Sequence, residues 1–270
     1  IRIIPKLDIK NGLLIKGINL EGLRILGDPY DFAKFYYECG ADEIFYLDNV
    51  ATLYGTNNLT KFVTRTSKNL YVPLTAGGGI KNVDDIKQLL KSGADKITIN
   101  SQIIKNPNII IKAKKIFGSS TLSAIIEVVK IKSKYFISYS NGRDLINKDP
   151  IKWAKFLEKI GVGELIVTSV NYEGLGNGFD INIIKKISNS VNIPVIAHGG
   201  AGNFKHVLDV IKQTKISGVA VSSLLHYACV SYFKKKMPGI GNTSFLESLK
   251  KSNKKENVLR KLKKFLKKNK

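Results

Sequence analysis

The chain repeats itself once, and the repeat is long. The segment EIFYLDN at 43–49 has a counterpart in ELIVTSVN at 164–171, and PLTAGGGIKN at 73–82 has one in PVIAHGGAGN at 194–203. Glu43 maps onto Glu164 and Gly78 onto Gly199 at the same offset of 121 residues, while Asp8 and Glu127 lie 119 apart. Solenoid repeats run about 20 to 50 residues, so this unit is too long for one. It has room for four strands and four helices. Two such units in tandem predict a barrel built from two half-barrels, with the two copies of each feature facing each other across the mouth.

The local pattern agrees. Short β-branched runs recur at 2–8, 43–48, 72–77, 95–100, 122–128, 164–169, 193–198 and 218–222. Helical periodicity follows them near 29–39, 58–68, 82–92, 106–116, 150–160, 180–189 and 204–214. Near-continuous apolar strands alternating with helices argue a parallel sheet with helices outside. Eight strands in a chain of 270 residues fit a (β/α)8 TIM barrel, with a doubly wound sheet as the rival. One barrel domain over 1–270 is expected, with an inserted connection at about 230–254, carrying Pro238, Gly239 and Gly241, before the last helix at 256–268.

The charge invites a different reading. The formal net charge is +23, which suggests nucleic acid, acidic lipid or an anionic substrate. But the cations are 39 Lys against 5 Arg, and 11 of them fall in 250–270. There Val258, Leu259, Leu262, Phe265 and Leu266 form one apolar helical stripe, so much of the tail charge belongs to the outer face of a structural helix. No zinc finger, P-loop or RNA-binding aromatic motif is present. The reading is therefore no nucleic acid and no membrane insertion, since no apolar run reaches 18 residues. The first residues do not read as a signal peptide. Cys39 and Cys229 are far apart and suit packing in a reducing, cytoplasmic setting. His198, His206 and His226 lack ligand spacing, so no metal and no cofactor are expected. Trp153 reads as a buried anchor, and 130–134 as the exposed turn of a hairpin.

Active sites of such barrels sit at the C-terminal ends of the strands. That places Asp8, Asp48, Gly78, Gly79, Asn100, Glu127, Thr168, Ser169, His198, Gly199, Gly200, Ser222 and Ser223 at the mouth. Asp8 and Glu127 fall on opposite halves, and opposed carboxyls can divide into general acid and general base. The two glycine-rich turns suit backbone N–H groups approaching phosphate. Two copies predict two phosphate sites and a long bis-phosphate substrate. At the other end, Arg2, Glu43, Lys96 and Glu164 each begin a strand. Two cations and two anions there can form a charged ring across the barrel floor, or merely surface ion pairs.

Nearly the whole chain resembles the cyclase subunits of imidazole glycerol phosphate synthase. The likeness rests on RIIPKLDIKNGLLIKG (2–17), GDPYDFAKFYYECGADEIFYLD (27–48), AGGGI (76–80), GADKITIN (93–100), GVGELIVTSVNYEGLGNGFD (161–180), PVIAHGGAGN (194–203) and VSSLLH (221–226). The resemblance implies an ammonia-dependent cyclase or lyase of histidine biosynthesis, with a glutaminase partner in a heterodimer. It implies catalytic roles for Asp8 and Glu127, with Lys16, in the long loop after the first strand, as partner of Asp8. It implies phosphate contacts from Gly79, Asn100, Ser101, Gly174, Gly200, Ser222 and Ser223. The floor ring becomes an ammonia gate, and Asp95 a docking residue for the partner. Glu127 stands where the family carries Asp, and Asn171 and Glu173 stand where it usually has two Asp. These departures keep open a paralogue that hands ammonia to an amidotransferase of surface-sugar biosynthesis. The related ribotide isomerase and a basic nucleic-acid-binding protein remain as further readings.

Overall fold

The computed structural model describes residues 1–49, 59–230 and 257–269. Twelve strands are present among them: β1 (Arg2–Lys10), β2 (Leu13–Ile18), β3 (Glu21–Gly27), β4 (Ile44–Asp48), β5 (Leu74–Gly77), β6 (Lys96–Ile99), β7 (Leu122–Ile131), β8 (Lys134–Tyr139), β9 (Asp144–Ile146), β10 (Glu164–Ser169), β11 (Val195–His198) and β12 (Gly218–Val221). Eight of them pair in parallel and close on themselves, in the order β1, β4, β5, β6, β7, β10, β11, β12 and back to β1. Helices separate successive barrel strands. The architecture is a (β/α)8 barrel, and the doubly wound alternative is excluded by the closure. β1 and β7 lie four strands apart in either direction, on opposite walls.

The other four strands are two hairpins. β2 and β3 fold back on β1, and β8 and β9 fold back on β7, all antiparallel. β2 and β8 lie 121 residues apart, so the hairpins are copies of one another. The first was expected to be a loop. Its turn is Asn11–Gly12, both with positive φ (49° and 79°), the pair that a tight hairpin favours. The second turns within the exposed 130–134 tract, as expected.

Helix starts repeat as well. Asp28 and Asp149 each cap a helix that opens with proline, Pro29–Glu38 and Pro150–Ile160. Their carboxylates accept from the free N–H groups of the first turn, at 2.8 Å from Tyr30 and 2.9 Å from Ile151. Asn82 and Asn203 cap Val83–Lys91 and Phe204–Gln213 in the same manner. All these pairs keep the 121-residue offset.

Alternation along the strands sorts the apolar residues into two cores. Outward residues such as Ile3, Leu7 and Ile9 of β1 pack under the helices. Inward residues Ile4, Phe45, Ile125, Ile166, Ile196 and Ala220 form a separate plug in the lumen. Along β1 the inward residues are therefore Arg2 at the floor, Ile4 in the plug, then Lys6, then Asp8 at the mouth. Trp153 is buried in the outer core, with Cys39 and Cys229.

The helix Val258–Lys268 buries Leu259, Leu262 and Leu266, and Phe265 meets Phe204 with ring centroids 5.7 Å apart. Its cations are partly spent on the end of the first helix. Arg260 donates to the Glu38 carbonyl (3.0 Å), and Lys263 to the Gly40 carbonyl (2.7 Å) and Asp42 (2.6 Å). The inserted connection expected before this helix lies, from residue 231 onward, outside the described residues. None of the described helices is long and apolar enough to cross a membrane.

Candidate active site

Asp8 ends the inward column of β1 and Glu127 that of β7, so the closed ring sets the two carboxyls facing each other over the lumen. Both are buried, at 2% and 7% exposure. Their surroundings differ. Asp8 pairs directly with the ammonium of Lys6, which is itself buried. Burial alone would raise the Asp8 carboxyl, but the charges of Lys6 and Lys16 and the Lys6 hydrogen bond outweigh it and hold it below the usual range. Among the described residues no cation is in contact with Glu127. Its Oε2 accepts from the Gly142 N–H at 2.9 Å. Burial pushes it up to about 7, although that hydrogen bond, the charge of Lys6 and the Asn100 amide pull the other way. At neutral pH the site thus holds one carboxylate and one carboxyl that exchanges its proton readily, the division that acid–base catalysis needs.

Two clefts open at the mouth, and Glu127 lines the first of them. The first is walled by Asp48, Gly78, Gly79, Asn100, Ser101 and Glu127, and the second by Glu173, Gly174, His198, Gly199, Gly200 and Ser223. The turns that shape them are copies. Gly78 and Gly199 both have positive φ, 101° and 91°. A side chain on Gly78 would strike the Asp48 carbonyl, and one on Gly199 would lie 2.9 Å from that of Ser169, again 121 residues on. Ser223 Oγ is buried in the second cleft and finds no hydrogen-bond partner among the described residues, as does Thr98 Oγ1 in the first. Each cleft therefore carries an unused hydroxyl.

The placement of Lys16 differs from expectation. Lys16 is not in a loop and is not the contact partner of Asp8. It sits on β2, fully buried, paired with Glu173 and donating to the Gly17 carbonyl at 2.9 Å. That pair, with the Asn19 N–H bonded to the Glu173 carbonyl at 2.8 Å, clamps the β2–β3 hairpin over the second cleft. Ser222 Oγ is engaged with the Lys6 carbonyl at 2.9 Å, which leaves its backbone N–H as the group it can offer a ligand. Asn171 faces outward and bonds the Lys130 backbone. His198 sits over the lumen with Nδ1 3.0 Å from Thr168 Oγ1. Burial, then the charge of Lys6, hold its imidazole well below its ordinary range, so it is neutral there. His206 lies beyond the mouth, at the Asn203 cap. Sequence reasoning missed Lys6, whose inward facing beside Asp8 follows from the register of β1 in the closed barrel.

At the floor, Arg2 bonds Glu43 (2.6 Å) and Glu164, and Lys96 bonds Glu43 (3.3 Å) and Glu164 (3.0 Å). Each cation touches both anions, and Thr75 Oγ1 adds a 2.6 Å bond to Glu43. The ring is closed and mostly buried, unlike a set of loose surface pairs. Asp95 lies on the same face, exposed, and accepts from the Leu74 N–H at 2.8 Å. With Tyr71, which is 82% exposed, it lines a shallow groove. Among the described residues no group of three or more His, Cys, Asp or Glu stands close enough to hold a metal.

The half-barrel repeat, the opposed acids and the paired glycine clefts define a class of two-fold (β/α)8 barrel, and the chain belongs to the histidine biosynthesis protein family, whose model matches residues 2–231. Its relatives sharpen this. It is 45% identical over 206 residues to the imidazole glycerol phosphate synthase subunit HisF of Legionella pneumophila, covering 76% of this chain and 97% of that one. It is 39% identical over 239 residues to the subunit of the same name from Bacillus cereus, covering 87% and 95%. The Staphylococcus epidermidis subunit is 41% identical over 227 residues, covering 83% and 90%. These names point to histidine biosynthesis and away from surface-sugar assembly.

Proposed function

We propose that the chain is the cyclase subunit of imidazole glycerol phosphate synthase. Ammonia adds to the phosphoribulosyl-formimino-aminoimidazole-carboxamide ribotide, and imidazole glycerol phosphate and aminoimidazole-carboxamide ribotide leave. The observation that carries this reading is the pair of unlike carboxyls set between two glycine-walled clefts, one for each phosphate. Glu127, the carboxyl that keeps a proton near neutrality, donates to the ribulosyl ketone oxygen as the ammonia nitrogen bonds its carbon, and that oxygen departs as water. Asp8, the carboxylate, takes a proton from the same nitrogen, which then closes on the formimino carbon; the aminoimidazole product departs as its protonated amine, and loss of a proton from the ribulosyl C1 makes the new ring aromatic. The glycine turns, Asn100, Ser101, Gly174, Ser222 and Ser223 hold the two phosphates through N–H and hydroxyl groups.

Ammonia enters through the floor ring from a glutaminase docked on that face, around Asp95 and Tyr71. The apolar plug above the ring suits a neutral molecule and disfavours ammonium. Purified protein given the ribotide and ammonium chloride is expected to consume the substrate and release both products. No turnover at high ammonium and high enzyme concentration would overturn the assignment. In the complex with a glutaminase, Lys96→Met is expected to change glutamine-driven turnover while leaving ammonium-driven turnover within about threefold. Asp95→Asn, which can keep the bond to Leu74, is expected to weaken capture of the glutaminase.

A further inference from the structure

Lys6 is a buried cation for which the proposed reaction names no use. Its neighbours make it more than a packing residue. Its Nζ pairs with Asp8, and the same ammonium lies 5.7 Å from the ring centroid of Phe45, the aromatic member of the lumen plug. Its backbone is fixed as firmly as its side chain. The Lys6 carbonyl accepts from Ser222 Oγ at 2.9 Å and from His226 Nε2 at 2.8 Å. The other nitrogen of His226 meets the Tyr36 hydroxyl at 2.7 Å. A chain of side chains from three elements thus sets where one ammonium stands, between an apolar floor and one of two carboxyls.

We propose that Lys6 is the positioning residue of this site: by pairing with Asp8 alone, it makes two carboxyls on equivalent strands do different work. The proposal rests on the cyclase reading and adds to it what selects base from acid. The charged and titratable groups facing Asp8 are Lys6 on its own strand, Lys16 on β2 (itself tied to Glu173), and His198 on β11, with His226 behind β1. Both imidazoles are held below their ordinary range, His226 down to about 4, first by burial, so the two lysines are the charges that count near neutrality. Lys16 is shared with Glu173, whereas Lys6 has Asp8 as its one anionic contact among the described residues. Glu127 feels Lys6 only at a distance, and its contacts, the Gly142 N–H and the Asn100 amide, are uncharged.

The test is Lys6→Met in the intact chain, assayed with the ribotide and ammonium chloride across pH. The acid limb of kcat/KM is expected to move up by about one pH unit or more, since removing a contacting opposite charge shifts a carboxyl by that much. On that acid limb turnover is expected to fall about tenfold through kcat, with KM within about threefold. An unmoved acid limb, in a variant that folds, would overturn the proposal and leave the cyclase reading standing. A silent unmodified protein would overturn both. Folding is read separately from the urea midpoints of Lys6→Met, Asp8→Asn and the double variant. The double variant is expected to recover what Lys6→Met loses, because the stranded carboxylate is gone. Additive losses would count against the pairing.

Discussion

The first and second halves of the barrel share a scaffold and differ in their charges. Caps, hairpins, plug residues, glycine turns and floor glutamates recur at one offset, from Asp28 and Asp149 to Gly78 and Gly199. The carboxyl at the end of each half's first strand does not share an environment with its copy. Asp8 has Lys6 two residues before it. Glu127 has Ile125 in that place, and a loop N–H for company. The difference teaches that the backbone supplies two equivalent stations, while single side chains decide which is acid and which is base.

The sharpest way to break this comparison is to remove one carboxyl at a time. Asp8→Asn is expected to lower kcat about 1000-fold, within the range for a lost acid–base group, with KM changed little. Glu127→Gln is expected to cost about 100-fold and to abolish the decline in wild-type activity on the alkaline side of pH 7. Equal losses and equal pH limbs in the two variants would mean that the stations are interchangeable.

Stability tests the same asymmetry without substrate. The Glu127 carboxyl titrates higher in the fold than in the unfolded chain, so the folded state holds the extra proton between about 4.5 and about 7. Stability from this group is present at low pH and is lost as pH rises through that window. Glu127→Gln is therefore expected to stabilise by about 2 kcal/mol at pH 8 and to change little at pH 4, read from urea unfolding at both. For Asp8 the sign reverses, since its carboxyl is held low: its contribution is present above its unfolded value and is lost on acidification.

Smaller effects measure how far the scaffold is symmetric. Gly78→Ala forces a side chain into the Asp48 carbonyl at positive φ and is expected to cost about 3 kcal/mol. Gly199→Ala meets its copy at 2.9 Å and is expected to cost about 2 kcal/mol. Asp28→Ala and Asp149→Ala remove equivalent caps and should each cost about 1 kcal/mol, with midpoints shifted alike. A large gap between the last two would show that the halves are unequal in packing as well as in charge.

Much of this was legible in the sequence, because a repeat fixes spacing before any contact is known. The eight barrel strands, the opposed acids, both glycine turns and the four floor residues all follow from the offset and from strand ends. What escaped did so for separate reasons. Asn11–Gly12 lies within a run of site residues, and so a hairpin signal passed for loop. Lys16 and Glu173 are 157 residues apart and belong to no repeat, so their pairing exists only after folding. Lys6 reads as one more lysine among 39 until β1 is known to turn its even-numbered side chains inward.

The helix Val258–Lys268 holds residues 38–42 by three hydrogen bonds that span more than 220 positions of the chain. During synthesis, strands and helices emerge in order, at about 5 to 20 residues per second. The first helix must then wait about ten seconds or more for the segment that covers its end. Over that interval the Glu38 and Gly40 carbonyls at the end of that helix have water as their partner, and the last helix replaces it when it docks.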